Sequence, residues 1–525
     1  MPPEERREAG AGRAGAEGAL WARIRAAFPA PPLPAEEGTA AAAAAAGEAL
    51  AAAGRGGRRA KMLRKQQLNP AAPRTNTTPF REAERFYRRA DRAGVLRAAM
   101  DPRCSLSRAA HGARRAKLAC ALDGEIFAGR GAEDGEEGEE EGEEDDEEED
   151  DEEEEEEREK TAGLPSKEEE DDDGGGGGGG NGRAGKKGPA RQRTGRRRRR
   201  RRTAAYVLPA VPGLVLIPGA LSPRAQRDLV RACVREYARD PNLTNLHDHY
   251  DMPPEGLWAL VERQVALDGG GGGGGGGGTG TDAGDSPASW VKLKYKADGG
   301  APPAPPQPSK RTLSSPTGPD PADHFLAEKP DPPASPTVPQ LAPAALFRRL
   351  RWVTLGYQYH WSSKTYRFDR RCPFPPLAGA LARAVARAAE GVAGNSYPGS
   401  AFRPEAGVVN FYQPRDALLA HVDRSEVNVD APLVSLSLGL SCVFLVGTAS
   451  REDRPSAILL RSGDILVMSG PSRKCFHGVP RVLEGSLPSY LRPDSADARS
   501  EDSGWDLVGA YMEQSRINLN IRQVF

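Results

Sequence analysis

The chain has 525 residues, of which 61 are glycine and 46 proline, and only 38% are hydrophobic. That composition excludes the three packed domains its length would suggest at ~150 residues each, and leaves one compact domain interrupted by long solvated stretches. The net charge of −1 hides a division: residues 133–157 hold 22 acidic residues and no basic one, and without them 73 basic residues face 52 acidic ones, a net of +21. Six cysteines with no CxxC pair exclude a disulfide scaffold and a zinc ribbon, and no apolar run reaches the ~18 residues of a membrane span.

In chain order, residues 1–78 are rich in Ala, Gly, Pro and Arg and are expected to be disordered, with at most a transient helix. The mixture of Glu and Arg at the start lacks the apolar core of a secretory leader. Residues 79–130 read as a helical extension: REAERFYRRADRAGVLRAAM places Phe86, Tyr87, Val95 and Leu96 at roughly helical spacing, which predicts a short docking helix. Residues 131–203 carry the acidic block, the Gly174–Gly180 run and seven consecutive arginines, Arg196–Arg202. Like charges repel and stay solvated. The arginines read as a nuclear localisation signal or a phosphate anchor.

Residues 204–268 are expected to form strands and helices beside the main domain. VPGLVLIPG (211–219) predicts a strand between turns. In LSPRAQRDLVRACVREYARD, Ser222 is the N-cap, Pro223 the first helical residue, and Leu229, Cys233 and Tyr237 recur every four positions. MPPEGLWALVERQ (252–264) predicts a second helix. Residues 269–343, opening with Gly269–Gly278, read as a disordered insertion. Within it, Lys292, Lys294 and Lys296 alternate with apolar residues and are candidates for touching phosphates.

Residues 344–525 look compact. RWVTLGYQYHW predicts a strand with Val353, Leu355, Tyr357, Tyr359 and Trp361 on alternate positions, and 376–390 predicts a helix. GVVNFY, LVSLSLG, CVFLVG, AILLRSGDILVMSG and INLNIRQVF follow as short strands, with Ser462-Gly463-Asp464 a hairpin signal. The expected fold is mainly β with flanking helices (α+β), a double-stranded β-helix or jelly-roll core.

Two constellations carry chemistry. His421 and Asp423 would share one strand face, and His477 follows the ILVMSG strand. Two His and one carboxylate match the facial triad that binds non-haem Fe(II) and leaves open positions. Separately, Arg516, Asn518, Asn520 and Arg522 share one face of RINLNIR, and Asn410 and Tyr412 share one face of NFY. Guanidiniums pointing into a barrel call for an anion, and a dicarboxylate pairs well with arginine. The plainer alternative is an outward polar face with Ile517, Leu519 and Ile521 packed inside.

NFY, HVDRSE, LVSLSLG, SGDILVMSG, FHGVPRVL and RINLNIR, in this order, resemble the AlkB family of Fe(II)/2-oxoglutarate dioxygenases, in detail its homologue 1 type. YVLPAVPGLVLIPGAL, DPNLTNLHDHY, LRWVTLGYQYHW and the FYRRA helix are similar to that type too. The resemblance covers roughly 204–267 and 346–525 plus 79–111. It implies iron on His421, Asp423 and His477, which are also the catalytic residues, and 2-oxoglutarate on Asn410, Tyr412, Arg516, Asn518 and Arg522. Arg516 would take the distal carboxylate and Arg522 would lie nearer the iron. Asn520 stands where such proteins often have Thr.

The implied reaction consumes O₂ and 2-oxoglutarate, releases succinate and CO₂, and hydroxylates a methyl group on nitrogen, which then leaves as formaldehyde. Trp258, Tyr357, Gln358, Tyr359 and His360 are the implied substrate-side residues. The implied substrates are methylated bases in tRNA (1-methyladenine, 5-methylcytosine) and in DNA (N6-methyladenine). The resemblance implies a monomer in the nucleus and/or mitochondrion, not secreted and not bound to membranes. Two rivals are methyl-lysine demethylation on histones by the same chemistry, and a metal-independent lyase at abasic sites. The basic remainder of the chain favours nucleic acid.

Overall fold

The computed structural model describes residues 18–29, 78–122, 126–127, 203–267, 286–294, 338–361 and 363–525. The chain divides into two units, 1–129 with 201–525, and 130–200. The second unit lies outside the described residues, and so do the acidic block, the glycine and arginine runs, Gly269–Gly278 and Lys296.

The strands in chain order are β1 (Arg114–Ala116), β2 (Ala205–Val207), β3 (Leu214–Ile217), β4 (Trp352–His360), β5 (Thr365–Arg371), β6 (Ala406–Tyr412) and β7 (Leu418–His421). They continue with β8 (Leu433–Gly439), β9 (Cys442–Val446), β10 (Ser456–Leu460), β11 (Ile465–Met468), β12 (His477–Val482) and β13 (Arg516–Arg522). Nine form one sheet in the order β1-β2-β3-β11-β8-β13-β6-β4-β5, and four form a smaller sheet, β10-β9-β12-β7. All pairings within both sheets are antiparallel. This is the jelly roll that the run of short strands predicts.

The centre of the large sheet is covered on both faces. β8 and β11 are buried at every position; β11 reads as a continuous apolar run, whereas β8 alternates, turning Ser435 and Ser437 toward Asn518 and Arg516. On one face the Pro376–Ala388 helix lays Ala378, Leu381, Ala382 and Val385 against β8 and β13. The Pro223–Arg231 helix starts as expected, with the Ser222 hydroxyl accepting from Ala225 N–H at 3.2 Å. It continues as a π-turn, Ala232–Tyr237, that buries Cys233 and Tyr237.

The outer face of the small sheet is covered by the N-terminal extension. The Pro79–Arg89 and Arg92–Ala98 helices bury Phe80, Tyr87 and Val95 against Val443, Leu445, Ala457 and Leu459. Thr78 and Asp91 cap the two helices through Arg81 N–H and Gly94 N–H. Tyr87 and Val95 are buried as the spacing predicts, but Phe86 and Leu96 are half exposed.

Four expectations are corrected. Residues 18–27 are helical, and Phe28 stacks on Trp258 with ring centroids 5.8 Å apart. Large apolar side chains among alanines can dock a segment that composition alone places in disorder. The insertion also returns to the core: Val291 and Leu293 are buried, and Leu293 bridges Tyr250. Ser462-Gly463-Asp464 is not a hairpin turn, because β10 and β11 belong to different sheets. The turn carries the chain from one sheet to the other, with Asp464 accepting from Arg461 N–H at 2.7 Å and Gly219 N–H at 2.8 Å.

The fourth correction concerns β4. Its alternation breaks at Gly356, which has φ +69°, and a Cβ there would lie 2.1 Å from the Glu405 carbonyl oxygen. Only glycine fits. Beyond it the register with β5 shifts, so the stripe divides. Val353 and Leu355 enter the main core, while Tyr357 and Tyr359 join a separate cluster with Tyr366 and Phe368.

Candidate active site

β7 and β12 are neighbours in the small sheet, and His421 pairs directly with His477. Their ring centroids are 4.4 Å apart. Asp423 lies two residues past the end of β7, so the turn leaving the strand, rather than strand alternation, brings its carboxylate to the histidines. Asp423 Oδ1 is 3.7 Å from His421 Nε2, and Oδ2 is 3.9 Å from His477 Nε2. One ligand atom from each residue lies within 4.8 Å of the other two.

The outward nitrogens are already engaged. His421 Nδ1 is 2.9 Å from the Leu419 carbonyl, and His477 Nδ1 is 3.2 Å from the Cys475 carbonyl. A proton on each Nδ1 leaves each Nε2 lone pair free, the tautomer a metal requires. Burial, with His421 alongside, lowers the His477 pKa to about 4, so the ring is a neutral ligand at neutral pH. Burial opposes ionisation of Asp423, but Arg522 and then the two histidines hold its carboxyl well below the usual range.

Residues 327–522 match the model of the 2OG-Fe(II) oxygenase superfamily. The chain is 32% identical over 333 residues to the mouse protein named nucleic acid dioxygenase ALKBH1, covering 61% of this chain and 66% of that one. It is 40% identical over 189 residues to the tRNA demethylase abh1 of Schizosaccharomyces pombe, covering 36% and 57%. The chain thus spans between about half and two thirds of the length of these curated relatives. With the N6-methyladenosine RNA demethylase ALKB1 of Pyricularia oryzae it shares 30% identity, over 61% of this chain and 76% of that protein. The chain belongs to the 2OG-Fe(II) oxygenases of AlkB homologue 1 type. Membership implies Fe(II) and 2-oxoglutarate as cofactor and co-substrate.

The residues of this oxygenase fit both groups. The donor set of two imidazoles and one carboxylate is that of a non-haem Fe(II) site. Across from it, β13 projects Arg516, Asn518 and Arg522 from the large sheet, and β6 sets Tyr412 opposite Arg516 and Asn410 opposite Asn518. Arg516 is 1% exposed. It donates to the Leu440 carbonyl at 3.2 Å and to Ser437 Oγ at 2.9 Å, while its Nε has no partner. Among the described residues no carboxylate pairs with it. A buried, unpaired guanidinium is costly, and a dicarboxylate would supply the missing charge. Asn518 donates to Ser435 Oγ at 2.8 Å and to the Leu436 carbonyl at 3.1 Å. Ile517, Leu519 and Ile521 are buried on the opposite face, so both faces of β13 are interior and the outward polar alternative does not hold.

Arg522 lies at the metal end, as expected. Its Nη2 donates to Asp423 Oδ2 at 2.6 Å, and its Nε is 3.2 Å from Glu426. Glu426, which the sequence reading missed, also accepts from Tyr366 Oη at 2.8 Å and from Arg473 Nη2 at 3.1 Å. Arg473 in turn donates to the carbonyls of Ala431 (3.1 Å) and Asp423 (3.2 Å). Two arginines and two carboxylates thus neutralise one another and hold the 423–431 loop. The signal was present in HVDRSE, where Glu426 follows Asp423 by three residues, but its partner Arg473 lies 47 residues away.

The substrate-side candidates separate. Tyr359 and His360 line a cavity of about 500 Å³, together with Trp361, Trp352, Lys294 and Arg370. Tyr359 Oη is 3.2 Å from Ser425 Oγ, so the cavity wall reaches the loop that carries Asp423. Trp361 is 42% exposed and lies 5.1 Å from Trp352, ring centre to ring centre. The other three do not line it. Tyr357 packs on Phe368 and Phe525. Gln358 is buried and accepts from Leu243 N–H at 2.9 Å, a bond that anchors the 240s loop. Trp258 is enclosed by Phe28, Phe347 and Tyr511. Its indole N–H is satisfied by Glu262 at 3.0 Å, so a residue expected at the substrate is a core anchor.

Proposed function

We propose that this chain is an Fe(II)/2-oxoglutarate-dependent dioxygenase that oxidatively demethylates or hydroxylates methylated nucleobases in nucleic acid. The first substrate class is tRNA carrying 1-methyladenine or 5-methylcytosine, and the second is DNA carrying N6-methyladenine. His421, Asp423 and His477 would hold the iron. Arg516, Arg522, Asn410, Tyr412 and Asn518 would hold 2-oxoglutarate. When bound, the metal and co-substrate supply the oxidation; the protein's part is to orient both and to exclude water around them.

The observation that carries the substrate class is the cavity whose wall reaches Ser425, two residues from Asp423. The exposed ring of Trp361, Trp352 and the basic side chains Lys294, Arg367 and Arg370 share its wall with Asp240 and Asp248. Aromatic rings next to cations suit an unpaired base and its phosphates. The names of the three relatives cited above point the same way. The arginine run Arg196–Arg202 supports a nuclear address.

A panel of methylated tRNA, methylated single-stranded and bulged DNA, and methyl-lysine peptides tests the reading. Purified protein with Fe(II) and ascorbate would be run with and without 2-oxoglutarate, and methyl loss read by mass spectrometry. The expected result is 2-oxoglutarate-dependent loss from a nucleic acid. Loss only from peptides, or loss that survives a chelator, overturns it. Trp361→Ala is expected to weaken binding of unpaired RNA by roughly 5- to 150-fold, the ~1–3 kcal/mol of one stacked base, with the melting temperature unchanged.

A further inference from the structure

The Pro79–Arg89 helix lies outside residues 327–522, which match the oxygenase model, yet one of its side chains reaches the metal-bearing strand. Glu84 is 2% exposed. Its Oε1 accepts from the main-chain N–H of Ala420 at 2.8 Å, and its Oε2 pairs with Arg81. Ala420 precedes His421 on β7, the edge strand of the small sheet. Edge strands carry main-chain groups with no ladder partner. Here both of Ala420's groups are taken by side chains, because Arg451 Nη2 donates to its carbonyl at 2.8 Å.

The same helix ties into the second histidine strand. Phe80 N–H donates to the Arg451 carbonyl at 3.2 Å, and the Arg451 guanidinium lies over the Phe476 ring at 4.5 Å. Phe476 precedes His477. A buried carboxylate is an expensive way to fill space, and leucine would pack the same interior at lower cost. What the carboxylate adds is a charged acceptor, whose hydrogen bond is stronger than a neutral one.

We propose that Glu84 is a positioning residue for the metal, fixing β7 so that His421 faces Asp423 and His477. The proposal rests on reading those three residues as metal ligands. It assigns to the N-terminal extension a part in the chemistry of a site it does not touch.

Co(II), read by its visible absorption in the full-length protein, serves as the metal probe. Glu84→Ala and Glu84→Asp, the latter withdrawing the carboxylate by one methylene, are expected to weaken Co(II) binding about 10- to 100-fold, the usual loss for an outer partner of a ligand. Glu84→Gln keeps an acceptor oxygen but not its charge and should fall between Glu84→Asp and wild type. Amide exchange across 418–421 in the metal-free protein should accelerate in Glu84→Asp. Tyr87→Phe, on the same helix as Glu84, removes the hydroxyl donating to the Ala98 carbonyl of the next helix at 3.0 Å and should lower stability and leave Co(II) affinity unchanged. If wild type binds no Co(II), the metal reading fails. If wild type binds it and Glu84→Asp binds it equally well, the positioning role is overturned, and this variant carries the test should Glu84→Ala not fold.

Discussion

Glu426→Ala is expected to lower the melting temperature of the metal-free protein by on the order of 10 °C. Glu426 sits between two buried arginines, 3.1 Å from Arg473 and 3.2 Å from Arg522, and also accepts from Tyr366. Removing one partner of a buried ion pair leaves the other charge uncompensated, which costs about 3–5 kcal/mol, and each kcal/mol moves the midpoint by about 2–4 °C in a domain of this size. Arg473 then keeps only its main-chain acceptors, and the loop bearing Asp423 loses its tether. Metal affinity should fall together with stability. A thermal shift below about 2 °C in differential scanning calorimetry would show that the network contributes little.

Arg516→Met should have the opposite sign on stability and a larger effect on the co-substrate. The guanidinium is buried, and among the described residues it has no carboxylate partner. Replacing an uncompensated buried charge by an apolar side chain of similar length is neutral or stabilising, so the ligand-free protein should melt at or above the wild-type temperature. Affinity for 2-oxoglutarate should fall between about 30- and 5000-fold, the ~2–5 kcal/mol of a buried charge-assisted contact. Arg516→Lys should recover little of it, because an ammonium cannot reproduce the two-pronged geometry of the guanidinium. Calorimetric titration of 2-oxoglutarate into the Mn(II)-loaded protein measures the loss. Unchanged affinity would remove Arg516 from the binding site.

Much of this site was readable before any coordinates. RINLNIR alternates polar and apolar residues strictly, so its register was clear, and the arginines and Asn518 face the interior as that alternation requires. His421, Asp423 and His477 converge as their types and spacing suggest, although the turn after β7 rather than strand alternation brings Asp423 in. Residues whose role depends on a distant partner escaped. Glu426 meaningfully differs from a surface acid only once Arg473 is beside it, and Glu84 meets Ala420 across 336 positions. Trp258 was misread because an aromatic side chain in a core and one in a cleft look alike in sequence; the Phe28 that covers it lies 230 residues upstream, in a stretch whose composition suggests disorder. The stripe on β4 divides at one glycine: Gly356 is left-handed, and beyond it the register with β5 shifts.

The anchors on either side of the long interruptions carry a different consequence, for how such a chain can vary in length. β1 pairs with β2 through Ala116 and Ala205, and Phe127 bridges Leu221, so the points where residues 128–202 leave and re-enter the fold are held together by the fold itself. Lys294 N–H donates to the His249 carbonyl at 3.1 Å, and Gln340 Nε2 to the Ala288 carbonyl at 2.7 Å, which fastens the borders of 295–337 in the same way. Closing a loop between fixed points costs only about 0.6 kcal/mol for each doubling of its length. A change in the length of either interval is therefore expected to alter stability little.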